Sequence, residues 1–234
     1  MNLNDILSTP YFGIILSLMA FEIGTFLYKK TKIPIFNPLL IAITIVIVIL
    51  KISGISYETY NTGANYVSFF LWPATVALAV PLYKQIDLLK KNVLPVMSGI
   101  IAGCITAVIS TMFFSKLVGF DLALTMSLVP KSVTTPIGVE LSRQLSGIPS
   151  ITVAAIVFTG IAGAVLGPKF CCILKLEDKL AIGLAMGTAA HAIGTTKALE
   201  IGELEGAMSG LSIGVAGLVT VFLMPLVKLL SVFL

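Results

Sequence analysis

The chain is a succession of apolar runs about as long as a lipid bilayer is thick, and this pattern constrains the fold more than any other feature. Runs bounded by charged or turn residues occur at about Tyr11 to Tyr28, Ile33 to Leu50, Tyr66 to Tyr83, Val93 to Ser115, Ile148 to Leu166 and Ala207 to Val227. A helix needs roughly 20 apolar residues to cross a bilayer, and each run is close to that. Two further stretches, about Gly119 to Ser146 and Leu180 to Gly202, are moderately apolar but broken in the middle by polar residues and by Pro or Gly. Irregular backbone at membrane depth is tolerated only where protein or a water-filled cavity surrounds it, so these two are discontinuous crossings or re-entrant hairpins. Composition excludes a water-soluble fold. Some 57% of residues are hydrophobic and 11% charged, with a mean hydropathy of +1.06, where soluble domains run nearer 45 to 50% and about 25%. The 234 residues hold at most about eight crossings, which leaves no room for an attached soluble domain.

The formal charge of +4 comes from fifteen Lys and Arg against eleven acids, with no basic run long enough to track a phosphate backbone. Nucleic acid is therefore not an expected partner, and the basic excess reads as a topology signal. Residues 1–9 carry no Lys or Arg and lead into a long apolar run, which reads as a retained first span rather than a cleaved signal peptide. Cys104 lies in an apolar run and Cys171 and Cys172 form a vicinal pair; the three thiols give neither a disulfide framework nor zinc spacing and are expected to be inert.

Loops on the cytoplasmic side are enriched in Lys and Arg, which separates the two readings of the broken stretches. With both as hairpins, one side receives nine cations (Lys29, Lys30, Lys32, Lys84, Lys90, Lys91, Lys169, Lys175, Lys179) and the other four (Lys51, Lys116, Arg143, Lys228). With both crossing fully, the division is seven against six. The hairpin arrangement is preferred: an all-α polytopic membrane protein with six full spans, both termini outside and two hairpins entering from opposite faces. An internal repeat agrees. At an offset of sixty, Thr135 matches Thr195 and Glu140 matches Glu200; at fifty-seven, Gly160 matches Gly217 and Pro168 matches Pro225. Each unit is a broken segment followed by one span, so it crosses once and the second unit is inverted relative to the first. Inverted repeats with interrupted helices near the midplane recur in secondary transporters. The expected organisation is a scaffold of four spans over residues 1–117 and a transport unit over 118–234, built of repeats 118–168 and 180–234.

The first interruption reads Val129-Pro130-Lys131-Ser132-Val133-Thr134-Thr135-Pro136-Ile137-Gly138-Val139-Glu140. Thr135 before Pro136 is a helix start, since the hydroxyl can cap free N–H groups and proline has no N–H to satisfy. Helix starts favour anions, and Lys131 adds a full positive charge. The plainer alternative is that Lys131 snorkels to the interface while the threonines cap a kink. The second interruption, Gly187 to Glu200, repeats the recipe with His191, Gly194, Thr195, Thr196, Lys197 and Glu200. His191 is the only histidine, and it is either a hydrogen-bonded structural residue or a handler of protons or substrate. Two tips meeting at the midplane would make a polar cavity for a small carboxylate, contacted by Lys131, Ser132, Thr134, Thr135, His191, Gly194, Thr195, Thr196 and Lys197. Glu140 and Glu200 either pair with the lysines or take up a coupled proton.

Other features read as structural. Asn37-Pro38 and Trp72-Pro73 are expected to bend helices; Gly99, Gly103, Gly160, Gly163 and Gly167 suit close packing; residues 81–91 form a short basic amphipathic connector. Glu22 is an isolated acid in mid-span, expected to face the bundle interior or a partner subunit. No catalytic motif for hydrolysis or phosphate binding is present, so an enzyme is not expected, nor are a metal or a cofactor.

Four blocks carry a family resemblance over nearly the whole chain: Leu71-Trp-Pro-Ala-Thr-Val-Ala-Leu-Ala-Val-Pro-Leu-Tyr83, Pro130-Lys-Ser-Val-Thr-Thr-Pro-Ile137, Thr159-Gly-Ile-Ala-Gly-Ala164 with Gly167-Pro168, and His191-Ala-Ile-Gly-Thr-Thr196. In these the sequence resembles the LrgB family, also called the CidB or YohK type. Against the expected LGPATVALAVPLY and SHAIGTARA, Trp72, Ala190, Thr196 and Lys197 are departures; Lys197 keeps the positive charge often supplied there by Arg but not its bidentate geometry. The resemblance implies two activities. One is antiholin-like regulation of murein hydrolases and cell lysis, with a small holin-like membrane partner of the LrgA or CidA type. The other is transport of small 2-hydroxy or 2-keto monocarboxylates, such as glycolate, glycerate or pyruvate. The residues favour transport, because a lesion made by short hydrophobic helices needs no pair of broken, hydroxyl-rich segments. A bacterial inner membrane, contact with lipid and a homo-oligomer or the small partner complete the expectation.

Overall fold

The structure is a computed structural model that describes residues 9–33, 36–70, 73, 76, 79–84 and 86–230. The described residues are helical, with no strand, and four helices are long and apolar enough to span a bilayer: Pro10–Thr31, Val93–Val118, Pro149–Ile173 and Glu203–Leu230. The protein is an all-α polytopic membrane protein. It divides into two compact units, one up to Val76 and one from Ala77 onward.

The first unit contains α1 (Pro10–Thr31), α2 (Pro38–Ser53) and α3 (Tyr57–Phe69). Asn37 does not bend α2 but starts it: its side-chain oxygen accepts from the Leu39 N–H at 2.9 Å while Pro38 takes the first helical position. The second apolar helix therefore begins later than hydropathy alone predicts. Likewise Ser56, accepting from the Thr59 N–H at 3.2 Å, starts α3 ahead of the expected third span. Trp72, with five other residues of the Leu71–Tyr83 block, lies outside the described residues. Gly13 and Gly63 let α1 and α3 touch backbone to backbone; a Cβ on Gly63 would strike the Pro10 carbonyl oxygen. Ser17 and Tyr60 share a hydrogen bond of 2.7 Å at this crossing. Glu22 lies on an exposed face of α1.

In the second unit two short helices, α4 (Ala79–Lys84) and α5 (Ile86–Lys91), lead into α6 (Val93–Val118). The first broken stretch is α7 (Leu122–Leu128), a 3-10 turn (Val129–Ser132) and α8 (Thr135–Gln144). It then continues into α9 (Pro149–Ile173), α10 (Lys179–Ile201) and α11 (Glu203–Leu230).

The contacts show that both broken stretches reverse direction. In the first, Ser127 before the break and Ser142 beyond it meet the same side chain: Thr152 Oγ1 lies 2.8 Å from the Ser127 carbonyl oxygen and 2.7 Å from Ser142 Oγ. In the second, α10 is two arms joined at His191, whose backbone (φ 41°, ψ −137°) is not helical. On the first arm Gly183 and Gly187 pack against Glu205 and Ser209, running parallel to α11; on the second, Leu199 and Thr195 meet Gly206 and Ser209, running antiparallel to it. In a straight helix Gly194 and Met186 would be about 12 Å apart, yet a Cβ on Gly194 would lie 2.6 Å from the Met186 carbonyl oxygen. Gly160, Gly163 and Gly167 of α9 meet Ile193, Ala190 and Met186 in turn, so α9 is antiparallel to α11 and the two hairpin-plus-helix units are inverted.

The hairpins enter from opposite ends. Hairpin 1 packs Met126, Val129 and Leu141 against Val108 and Met112 of α6 and Met224 and Val227 of α11. Hairpin 2 packs Thr188 and Leu184 against Gly103 and Gly99, nearer the start of α6. Their tips therefore approach one another about halfway along that helix.

Candidate functional site

Where the tips converge, each is held to Ile156 of α9: a Cβ on Gly138 would run into the Ile156 side chain, and His191 Nε2 lies 2.9 Å from the Ile156 carbonyl oxygen. That contact requires a proton on Nε2, because a carbonyl only accepts. A cavity of about 950 Å³ borders this junction, lined by Lys131 and Ser132 of the first tip, Thr159 of α9, Thr188 and Ala189 of hairpin 2, and the Gly99 to Ser110 face of α6.

The polar groups at the first tip are largely unpaired. Lys131 is half-buried and, among the described residues, has no ion-pair or hydrogen-bond partner. The helix start expected at Thr135-Pro136 is present as α8, but its N-cap is Thr134, one residue earlier. The Thr134 hydroxyl, 7% exposed, makes no cap bond and no other hydrogen bond among the described residues. Thr188 Oγ1, 8% exposed and on the cavity wall, is likewise unpartnered. Burying a hydroxyl without a partner costs about 1 to 3 kcal/mol, so Thr188 on the same cavity wall as the unpaired Lys131 ammonium makes a region short of acceptors. A small anion supplies acceptors.

Apart from Thr188, the polar groups of the second tip are paired. His191 is 4% exposed and bonded to α9. Thr195 Oγ1 lies 2.7 Å from Ser209 Oγ and 3.0 Å from the His191 carbonyl oxygen. Gly194 is packed against Met186 and Ala190. Thr196 donates to the Ala192 carbonyl at 3.3 Å within its own helix. Lys197 Nζ lies 2.8 Å from Glu200 Oε2. None of these five side chains is among the residues lining the cavity. Thr135 sits at the start of α8, half-buried, and Glu140 lies on α8 with Arg143 at 4.0 Å and the Gln144 amide donating to it at 3.1 Å. Of the candidate residues, the structure brings Lys131 and Ser132 to the cavity, with Thr134 two residues beyond Ser132 and outside the lining, and places His191, Thr195 and Lys197 in contacts of their own.

A family model described as the LrgB-like family matches residues 17–230, nearly the whole chain. The chain belongs to the LrgB-like family. Among relatives of this LrgB-like protein, the antiholin-like protein LrgB of Bacillus cereus (strain B4264) is 43% identical over 219 residues, covering 93% of this chain and 95% of the relative. The antiholin-like protein LrgB of Bacillus anthracis (strain CDC 684 / NRRL 3495) matches to the same extent. No solved structure matches.

Several residues of this LrgB-like chain escape sequence reasoning. Thr159 stands inside a glycine-rich packing block, and Thr188 inside the second interruption next to more conspicuous residues. The fully buried Ser127, Ser142 and Thr152 looked like ordinary small residues of membrane helices. Their signal was hydroxyls in runs otherwise free of hydrogen-bonding side chains, a weak cue because Ser and Thr also bond to their own helix.

Proposed function

We propose that the protein is a carrier of small monocarboxylates, 2-hydroxy or 2-keto acids such as glycolate, glycerate and pyruvate, working in a bacterial inner membrane by alternating access at the two hairpin tips. The observation that supports this best is the unpaired, half-buried ammonium of Lys131 on the wall of a cavity at the depth where the tips converge. Ionisable groups at membrane depth are costly and tend to persist for function. Lys131 attracts the carboxylate; Ser132, Thr159 and Thr188 supply hydroxyls for the 2-hydroxy or 2-keto oxygen; His191 and Thr195 brace the opposing tip. Glu140 and Glu200 sit beside Arg143 and Lys197, so charge pairing rather than proton uptake fits their surroundings.

A second reading has its own support, since relatives are named antiholin-like, which favours it over the first: a regulator of murein hydrolase activity and lysis, acting with a holin-like partner of the LrgA or CidA type. The two are compatible, since a change in organic-acid flux alters the energetics on which lysis depends. Purified protein in liposomes separates them. The carrier reading expects uptake of labelled glycolate or pyruvate by the protein alone, lost in Lys131→Ala. No flux from intact protein, with lysis phenotypes that vanish when the small partner is deleted, would leave the regulatory reading.

A further inference from the structure

The cavity has two unlike ends, and the difference gives it a direction. Along α6 its wall runs from Asn92 to Ser110, about 27 Å at 1.5 Å per residue. At the Asn92 end its other wall is Asp178 and Leu180, the start of α10. That is the end of the unit where Lys90, Lys91, Lys169, Lys175 and Lys179 are all exposed. These positions share one end because α6 and α11 are parallel there, with Val96 and Ile100 in one buried cluster with Met208 and Leu211, while Gly167 near the end of α9 meets Met186.

At the other end the wall stops at Ser110, Lys131 and Thr159. The next turns of α6 enter a closed cluster in which Val108 and Met112 pack with Met126, Val129, Leu141 and Met224. This plug is pinned from behind. Ser127, Ser142 and Thr152 have 0% exposure. Thr152 Oγ1 donates to the Ser127 carbonyl at 2.8 Å and lies 2.7 Å from Ser142 Oγ, and Ser127 Oγ accepts from the Ile148 N–H at 2.6 Å while donating to the Ala123 carbonyl at 2.6 Å. Both limbs of hairpin 1 are thereby fastened to the first turn of α9. A buried hydrogen-bonded network whose hydroxyls are all paired holds one arrangement strongly.

We infer that the cavity is a one-sided vestibule, open from the lysine-rich face down to Lys131 and shut from the opposite face by the base of hairpin 1, with Ser127, Ser142 and Thr152 as the latch of that gate. By the positive-inside tendency the open face is cytoplasmic. This rests on the carrier reading only for what enters the vestibule; its sidedness stands apart from any solute.

Cys172, exposed and next to the lysine-rich loop, marks the open face. Full-length protein lacking Cys104 and Cys171 is compared in sealed cells and inside-out vesicles with an impermeant maleimide, carrying either Cys172 alone or Ser110→Cys alone. The Ser110→Cys thiol is expected to react at least tenfold faster from the face that labels Cys172. Reaction from the other face, equally from both, or from neither overturns the vestibule. In the same background Thr152→Val is expected to make a thiol at Ser132→Cys reachable from the far face, and Thr152→Ser to keep it one-sided; one-sided labelling in Thr152→Val, with thermal stability confirming a folded protein, overturns the latch. Glycolate at millimolar concentration should slow labelling of Ser132→Cys. Labelling from the correct face without that protection would remove the carrier reading and leave the vestibule standing.

Discussion

The two hairpins share a sequence recipe yet reverse the chain by different means, and the difference separates a tip that can bind from one that braces. Hairpin 1 turns over several residues: a 3-10 turn, then extended Val133 and Thr134, each in an ordinary region of backbone space. A turn spread out in this way leaves groups without intrahelical partners, here Thr134 Oγ1 and the ammonium of Lys131. Hairpin 2 turns at one residue. His191 absorbs the reversal at φ 41°, a conformation that costs a non-glycine residue about 1 to 3 kcal/mol, and its ring bond to Ile156 offsets part of that cost. The paired threonine and glutamate at an offset of sixty therefore mark similar folding, not equal chemistry. What distinguishes a binding tip is the set of hydrogen bonds left unmade.

The largest expected effect follows from that contrast. Removing one partner of a desolvated charge pair costs about 2 to 5 kcal/mol, so Lys131→Ala should lower uptake of labelled glycolate or pyruvate in proteoliposomes by about thirtyfold or more. Lys131→Arg should retain part of it. If Lys197→Ala were to produce the same loss, the tips would be equivalent and the comparison would fail.

Next in size are the glycines that let hairpin 2 close on α11. A Cβ on Gly187 would meet the Ser209 backbone, whereas one on Gly99 would only touch the end of the Leu184 side chain at 3.9 Å. Overpacking costs about 1 to 3 kcal/mol where neighbours cannot move. Gly187→Ala should lower the unfolding temperature in detergent clearly, while Gly99→Ala should leave it within error. Equal effects would mean that hairpin 2 is not the rigid partner described here.

Much of this architecture was legible before coordinates. The long apolar runs at α1, α6, α9 and α11 are legible in hydropathy, because helices that face lipid have little besides length and apolarity to encode. Both reversals were legible from Pro130 to Pro136 and from Gly187 to Gly194, where broken backbone must be sheltered. The fine division of labour was not. Thr195 finds its partner in Ser209, fourteen residues on and on a different helix, while Thr134 finds none among the described residues, and no local pattern encodes that difference. The α3 helix was hidden for a related reason: it is polar, and its reason to exist is the Gly13 to Gly63 crossing, a contact between distant residues.

His191 gives a smaller and more diagnostic effect. His191→Ala loses the ring bond and keeps the positive-φ strain; His191→Gly loses the bond, worth about 0.5 to 1.5 kcal/mol, but relieves the strain. The glycine variant should therefore be the more stable of the two by about 1 kcal/mol, read as the higher unfolding temperature, with transport more nearly retained. The reverse order would show that the ring, and not the turn it occupies, is what hairpin 2 requires, and would return His191 to the list of groups that act on the solute.

The smallest effect is expected at Lys197. Its ammonium is 2.8 Å from Glu200 three residues on, with side-chain exposures of 31% and 43%, and pairs this accessible contribute about 0 to 1 kcal/mol. Lys197→Ala should shift the unfolding temperature little and lower flux less than threefold or so, well short of the Lys131 effect estimated from a desolvated pair. The double variant Lys197→Ala/Glu200→Ala sharpens the point. If the pair is only structural, removing both partners lowers flux no further than the single change. If flux falls further in the double variant, each group contacts something besides the other, and the second tip would have to be counted, with the first, as part of the path.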